Sequence, residues 1–216
     1  MQSLPHITMM SIIKNGVDRE VSASLREQYQ QQGYLHLNNF FDTFMAEHFQ
    51  QYFTVEKIDD FYKAQHGKGY EAIDYSSNPG FIKEYNYLIN QKNYIEFLEA
   101  VTGCEPIGQM RGHAYVSDSK EKRGYGFHSD DDGNRYFLVS MNITPQPYEG
   151  GVFTMRNSKS KETLFQIHNN ESYGALIAPI GDHLEHEVSH VSGTVTRLSL
   201  LSWALKIPKE ERFKMF

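Results

Sequence analysis

The sequence predicts a mainly β protein with flanking helices, an α+β chain whose C-terminal half closes into a sandwich or barrel. Three observations carry this. Short apolar runs recur at residues 110–116, 136–143, 151–155, 163–167, 174–178, 185–191 and 196–205. Turn-prone stretches divide them, including Asp131-Asp132-Gly133-Asn134, Pro147-Tyr148-Glu149-Gly150 and Gly181-Asp182, which is the pattern of many short strands. Upstream, apolar residues recur instead at helical spacing behind capping residues. With 216 residues, 39% of them hydrophobic and 13% aromatic, the chain can bury a sizeable core, and nothing points to wholesale disorder.

Taken in order, residues 1–20 lack firm periodicity and read as a short strand followed by a loop. Residues 22–32 read as a helix: Ser22 or Ser24 can cap it, Leu25 and Tyr29 share a face, and Gly33 ends it. Tyr34-Leu35-His36-Leu37 alternates as a short strand, and Asp42 can cap a second helix through about residue 55, carrying Phe44, Phe49 and Tyr52. His36 and His48 read as structural or surface residues. Residues 59–90, rich in Tyr, Gly and Asn with Pro79-Gly80 as a turn signal, read as a loop region packed over another part of the chain. A helix over 93–101 with Tyr94, Phe97, Leu98 and Val101 on one side then leads through Gly103 to the strands. Residues 208–216 read as a frayed tail. The division is thus 1–107 as a helical and loop support, 108–207 as the core and 208–216 as the tail, in one domain of 1–216.

The net charge of -6, from 21 basic and 27 acidic residues without a long single-sign block, is unlike that of a nucleic-acid backbone binder. No nucleic-acid partner is expected, although Lys120, Lys122 and Arg123 are compatible with an anionic substrate. The lone Cys104 excludes an internal disulfide framework and a thiolate zinc cluster. No basic segment near the N-terminus feeds a long apolar run, and no later stretch is apolar enough to span a bilayer. The expectation is a cytoplasmic protein without a membrane partner; oligomeric state is left open.

The chemistry centres on Gly126-Phe127-His128-Ser129-Asp130. Inside a strand, residues two apart share a face, so His128 and Asp130 would present an imidazole and a carboxylate together. Two His and one carboxylate suit ferrous iron with open positions. The third ligand comes from Leu184-Glu185-His186-Glu187-Val188, where His186 is the choice and His183 and His190 are its competitors. Of the acids that follow, Asp131 would face the opposite side, and Gly133-Asn134 turns the chain at Asp132.

With these residues the chain resembles the iron(II)- and 2-oxoglutarate-dependent dioxygenases, closest to their prolyl-4-hydroxylase-like branch. The resemblance covers roughly residues 108–207. It rests on Tyr115, on Gly124 and Tyr125 leading into the His-x-Asp, on Gly150-Gly151, on His186-Glu187-Val188, and on Arg197, eleven residues after His186 where the family has about ten. It implies a double-stranded β-helix, the jelly-roll of cupins. It implies Fe(2+) held by His128, Asp130 and His186, with 2-oxoglutarate and O2 as cosubstrates. The far carboxylate of 2-oxoglutarate would meet Arg197, whose planar fork suits it, with Ser199 on the same face and Tyr115 as a further partner. A carboxylate at Asp130 favours oxygen insertion over halogenation. Tyr125, His190 and His113 are candidates for substrate contact or for supporting the ligands. Tyr62, Tyr70, Tyr75, Tyr85 and Tyr87 could line a substrate mouth. One departure loosens the inference to proline: where prolyl hydroxylases carry a Tyr two residues before the strand Asn, this chain has Ser140 before Met141-Asn142.

Three functions follow as expectations. The first is a hydroxylase acting on an unactivated C–H bond of a small molecule, amino acid or peptide, releasing succinate and carbon dioxide. The second is a protein-residue hydroxylase of the same family. The third, a non-catalytic cupin-like metal- or ligand-binding module, leaves Arg197 and Ser199 without a purpose, since a buried charge is costly unless paired.

Overall fold

The computed structural model describes residues 7–53, 79–117, 125–170 and 173–207. The N-terminal part is more helical than its sequence suggests. Where residues 1–20 read as strand and loop, a helix α1 (Met9–Asn15) forms, its first turn closed by reciprocal bonds between Thr8 and Ser11. Only Met9 and Ile12 of this helix are buried, a pair too short to register as periodicity. Helix α2 (Arg19–Gln32) starts earlier than Ser22 because the Asp18 side chain, not Ser22 or Ser24, caps it by accepting from the Glu20 N–H. It ends at Gly33 in the left-handed conformation, where glycine carries no penalty. After the short strand β1 (Leu35–Leu37), Asp42 stands at the start of α3 (Thr43–Gln50) without capping it. Its carboxylate instead accepts from Thr8 Oγ1 at 2.8 Å and from the Met10 N–H at 2.9 Å, tying α1 to α3.

The reading of 59–90 as loop is corrected over its last part: α4 (Pro79–Ile89) is a helix, and residues 54–78 lie outside the described residues. Phe81, Ile82, Tyr85 and Ile89 form its buried stripe at spacings of one, three and four, a signal the Tyr/Gly/Asn composition obscured. Tyr85 is therefore core rather than substrate mouth, Tyr87 is 69% exposed, and Tyr62, Tyr70 and Tyr75 lie outside the described residues. Helix α5 (Lys92–Thr102) buries the expected Tyr94, Phe97, Leu98 and Val101.

The rest is β: β2 (Ile107–Ser117), β3 (Tyr125–His128), β4 (Arg135–Asn142), β5 (Glu149–Gly150), β6 (Phe153–Asn157), β7 (Thr163–Ile167), β8 (Ala175–Pro179), β9 (Leu184–Val188), β10 (Val191–Ser192) and β11 (Arg197–Lys206). An antiparallel five-stranded sheet runs β1-β8-β4-β11-β2, a four-stranded one runs β3-β9-β6-β7, and β10 and β5 make a small ribbon. The larger sheet is apolar on both faces. One face, with Met110, Ala114, Val139, Met141, Ile177 and Leu200, packs on helix residues including Phe49, Phe81, Tyr85 and Phe97. The other, with Leu138, Leu176, Ala178 and Trp203, meets Phe153, Met155 and Leu184 of the smaller sheet. Two antiparallel sheets closed over such an interior make the jelly-roll. Strand alternation assigns the layers, and the helices only support the outer face. No helix among the described residues is long and apolar enough to cross a membrane.

Candidate metal centre

Two strands of the smaller sheet create the site. Antiparallel pairing of β3 with β9 sets His128 directly opposite His186, and the ring centroids lie 4.5 Å apart. His128 Nδ1 lies 2.8 Å from the Gly126 carbonyl. A carbonyl can only accept, so Nδ1 is the donor here, and in a neutral ring Nε2 would be the nitrogen that ligates. His186 is 7% exposed and stacks on Phe153. Burial, with His128 adding to it and Asp130 opposing, pushes its pKa down to about 4. The imidazole is therefore neutral at physiological pH, which is the ligating form.

Asp130 joins these rings by a different route from the one its spacing implied. The strand ends at His128, so Asp130 lies two residues beyond the ladder rather than on a shared strand face. Even so, one carboxylate oxygen is 3.6 Å from His128 Nε2 and the other 3.7 Å from His186 Nε2. The ligand atoms of His128, Asp130 and His186 all lie within 4.8 Å of one another. Asp131 and Asp132 turn their carboxylates to the backbone, accepting from the Gly133 and Asn134 N–H groups at 2.8 and 2.9 Å. His183 is exposed beside Asp182. His190 falls past the end of β9, which stops at Val188, so it does not share a strand face with His186. Among the described residues its Nδ1 is buried without a hydrogen-bond partner, and its carbonyl accepts from the Gly151 N–H. Two imidazoles and one carboxylate gathered this closely fit ferrous iron with positions left open.

Three residues beside the cluster escaped the sequence reading. Trp203 Nε1 donates to Asp130 Oδ2 at 2.6 Å. Arg135 lays its guanidinium over the Trp203 ring, 4.6 Å from the centroid, with Nη1 3.8 Å from Asp130 Oδ1 and Nε 3.3 Å from Asp132. Tyr148, the third, contacts Arg197. His113 meets Trp203 edge-on at 4.8 Å. Burial, and then the charges of Arg111 and Arg135, push the His113 pKa down to about 4. The signal for Trp203 was available: it sits six residues after Arg197 on β11, hence on the same face.

Further along that face, Arg197 is 7% exposed and Ser199 is fully buried. Ser199 pairs across the sheet with Tyr115 on one side and Asn142 on the other. Arg197 Nε donates to Tyr148 Oη at 3.2 Å, and Tyr148 donates in turn to the Asn169 carbonyl at 2.8 Å. Among the described residues no carboxylate lies within ion-pair distance of Arg197. Gly151 permits this packing, since a Cβ there would stand 2.8 Å from the Tyr148 ring and 3.2 Å from Arg197 Cδ. Ser140 is buried on β4, and the backbone of Tyr125 pairs with Val188 at the start of β3.

No family model and no curated protein matches the chain. Solved structures do. A Pseudomonas putida prolyl-4-hydroxylase superposes with a TM-score of 0.56 at 14% identity, over 87% of this chain and 95% of that one. A Trichoplax adhaerens prolyl hydroxylase, solved in complex with a hypoxia inducible factor oxygen degradation domain peptide fragment, gives 0.61 at 14% identity over 92% and 94%. A 2OG-Fe(II) oxygenase family oxidoreductase from Burkholderia pseudomallei gives 0.53 at 15% identity over 84% and 88%. The chain thus has the jelly-roll fold of the prolyl 4-hydroxylases and 2OG-Fe(II) oxygenases.

Proposed function

We propose that the chain is an iron(II)- and 2-oxoglutarate-dependent dioxygenase that hydroxylates an unactivated C–H bond of a small molecule, an amino acid or a peptide. The observation that carries this is one barrel holding both the His128, Asp130 and His186 cluster and a buried Arg197 without a described carboxylate partner. A buried guanidinium is costly unless an anion meets it, and its fork suits a carboxylate. A non-catalytic cupin-like module gives no account of that cation.

His128, Asp130 and His186 would hold iron, and Arg197 with Ser199 and Tyr115 would receive the far carboxylate of 2-oxoglutarate. Iron(II), 2-oxoglutarate and dioxygen would supply the oxidation: the cosubstrate would give carbon dioxide and succinate, one oxygen atom entering succinate and the other the substrate. The protein's part is orientation and exclusion of water. The Gly126 carbonyl fixes the His128 tautomer, burial keeps His186 neutral, and Tyr148 braces the Arg197 fork from its Nε side, leaving the Nη groups for a ligand. A target residue within a protein is the second reading, supported by the peptide held by the Trichoplax relative of the same fold. Ser140 in place of the prolyl-hydroxylase Tyr loosens the inference to proline as that residue.

The test is anaerobic absorption spectroscopy of metal-free protein titrated with iron(II) and then with 2-oxoglutarate. A visible charge-transfer band that needs both additions and is lost in His186→Ala is the expected result. Bound iron without such a band would overturn the dioxygenase reading in favour of the cupin-like module.

A further inference from the structure

We propose that Trp203 is a positioning residue for the metal centre, its indole N–H holding the Asp130 carboxylate in the orientation in which it can ligate beside His128 and His186. This rests on the metal reading above and extends it to a residue outside the ligand set. Two of the three ligands are fixed by backbone: His128 and His186 face each other across the β3–β9 ladder, and the His128 ring is tied to Gly126 as well. Asp130 has no such support. It lies beyond the strand and ahead of a turn closed by Asp131 and Asp132, so its carboxylate must be oriented by other side chains.

Among the described residues, Arg135 and Trp203 reach it besides the two imidazoles. Arg135 Nη1, at 3.8 Å from Oδ1, is beyond hydrogen-bond length, and the same guanidinium is shared with Asp132, so it contributes charge without direction. The Trp203 bond to Oδ2 is short and directional. Its donor is also held still. Trp203 is 6% exposed on a strand paired on both sides, opposite Arg111 on β2 and Leu138 on β4. The Arg135 guanidinium covers its ring and the His113 ring abuts it. An indole N–H donates and never accepts, so it hydrogen-bonds the carboxylate without competing for the metal. By engaging Oδ2, which lies 3.7 Å from His186 Nε2, it sets Oδ1 toward His128 Nε2, 3.6 Å away. Partners that orient a ligand in this way govern metal affinity by about 10- to 100-fold.

Cobalt(II) is the probe for affinity, read by anaerobic titration, and Trp203→Phe removes the N–H while keeping an aromatic ring. The variant should bind cobalt(II) about 10- to 100-fold more weakly than wild type. Equal affinity would overturn the proposal alone, whereas a wild type that binds no cobalt(II) would overturn the metal reading and this proposal with it. Because Trp203 is the chain's single tryptophan, nitrogen-labelled protein gives one indole N–H resonance, which keeps the question answerable if Trp203→Phe fails to fold. That resonance should lie downfield and exchange slowly in metal-free wild type, and should move upfield and exchange faster in Asp130→Ala. An indole signal indifferent to Asp130→Ala would overturn the proposal.

Discussion

At the scale of single residues, Arg197 offers the sharpest separation of roles. Its guanidinium is buried, and Tyr148 holds its Nε, so a short cation at this position would not reproduce the fork. Arg197→Ala should raise the 2-oxoglutarate concentration needed for half-maximal charge-transfer absorbance by about 30-fold or more, the effect of removing one member of a buried charge pair worth about 2 kcal/mol or more. Arg197→Lys should recover only part of this, while iron affinity stays as in wild type. An Arg197→Ala protein with unchanged 2-oxoglutarate dependence would sink the assignment. Residues of this kind were legible in sequence wherever chemistry and spacing coincide: His128, Asp130 and His186 stand out by type and do lie together. The physical reason for Asp130 was not legible. Its spacing suggested a strand face, whereas the strand stops at His128 and an indole from β11 meets the carboxylate. Tyr148 left no trace either, because a tyrosine in a Pro-Tyr-Glu-Gly stretch reads as a turn, and its contact with Arg197 spans 49 residues.

At the scale of elements, the strands and helices α2, α3 and α5 were legible while α1 and α4 were not, for a physical reason. Period-two alternation against two apolar layers is a strong signal, and the runs read as strands correspond to β2, β4, β6, β7, β8, β9 and β11, with β9 ending three residues short. Helix α1 buries two residues only, and α4 carries its apolar stripe among amides and tyrosines. Those amides have a task. Asn90 accepts from the Met110 N–H and donates to the Met110 carbonyl, both at 2.9 Å, and Asn86 does the same to Gly112 at 2.9 and 3.3 Å. Two side chains one helical turn apart therefore occupy the hydrogen-bonding edge of β2 as another strand would, blunting an edge open to association. Gly112 lets α4 approach: a Cβ there would stand 2.5 Å from the Tyr85 ring, itself wholly buried. Urea unfolding should show Asn90→Ala destabilised by about 1–3 kcal/mol, the cost of leaving a buried backbone pair unmet. Gly112→Ala should be destabilised by at least as much, about 1–3 kcal/mol for overpacking a core. A Gly112→Ala protein as stable as wild type would mean that α4 is not seated on β2 in this way.

At the scale of the whole molecule, the barrel couples folding to protons and metal through the same few rings. His113 and His186 both have pKa values pushed from 6.5 down to about 4, chiefly by burial. In the unfolded chain these rings take up protons near pH 6.5, while the folded protein refuses them until about pH 4. The unfolded state therefore binds more protons throughout that window, and stability rises with pH across it. The metal-free protein should thus have its full histidine contribution above pH 6.5 and lose it progressively as the pH falls to about 4, with no further loss from these groups below. Thermal unfolding from pH 7.5 down to pH 4 reads this directly, and His113→Phe, which keeps a ring against Trp203 but cannot be protonated, should flatten the slope. A metal that holds His186 changes the same curve. It binds the folded chain and the neutral ring, so it raises the melting temperature by mass action at pH 7.5, while protons compete for His186 as the pH falls. With a His186 pKa of about 4, the increment from cobalt(II) should therefore hold from neutral pH to about pH 5 and shrink only as the pH falls through about 4. In Asp130→Ala the increment should be nearly absent, while the His113 slope remains. A metal increment as large at pH 3.5 as at pH 7.5 would mean that the cation is held by groups other than the buried His186 imidazole.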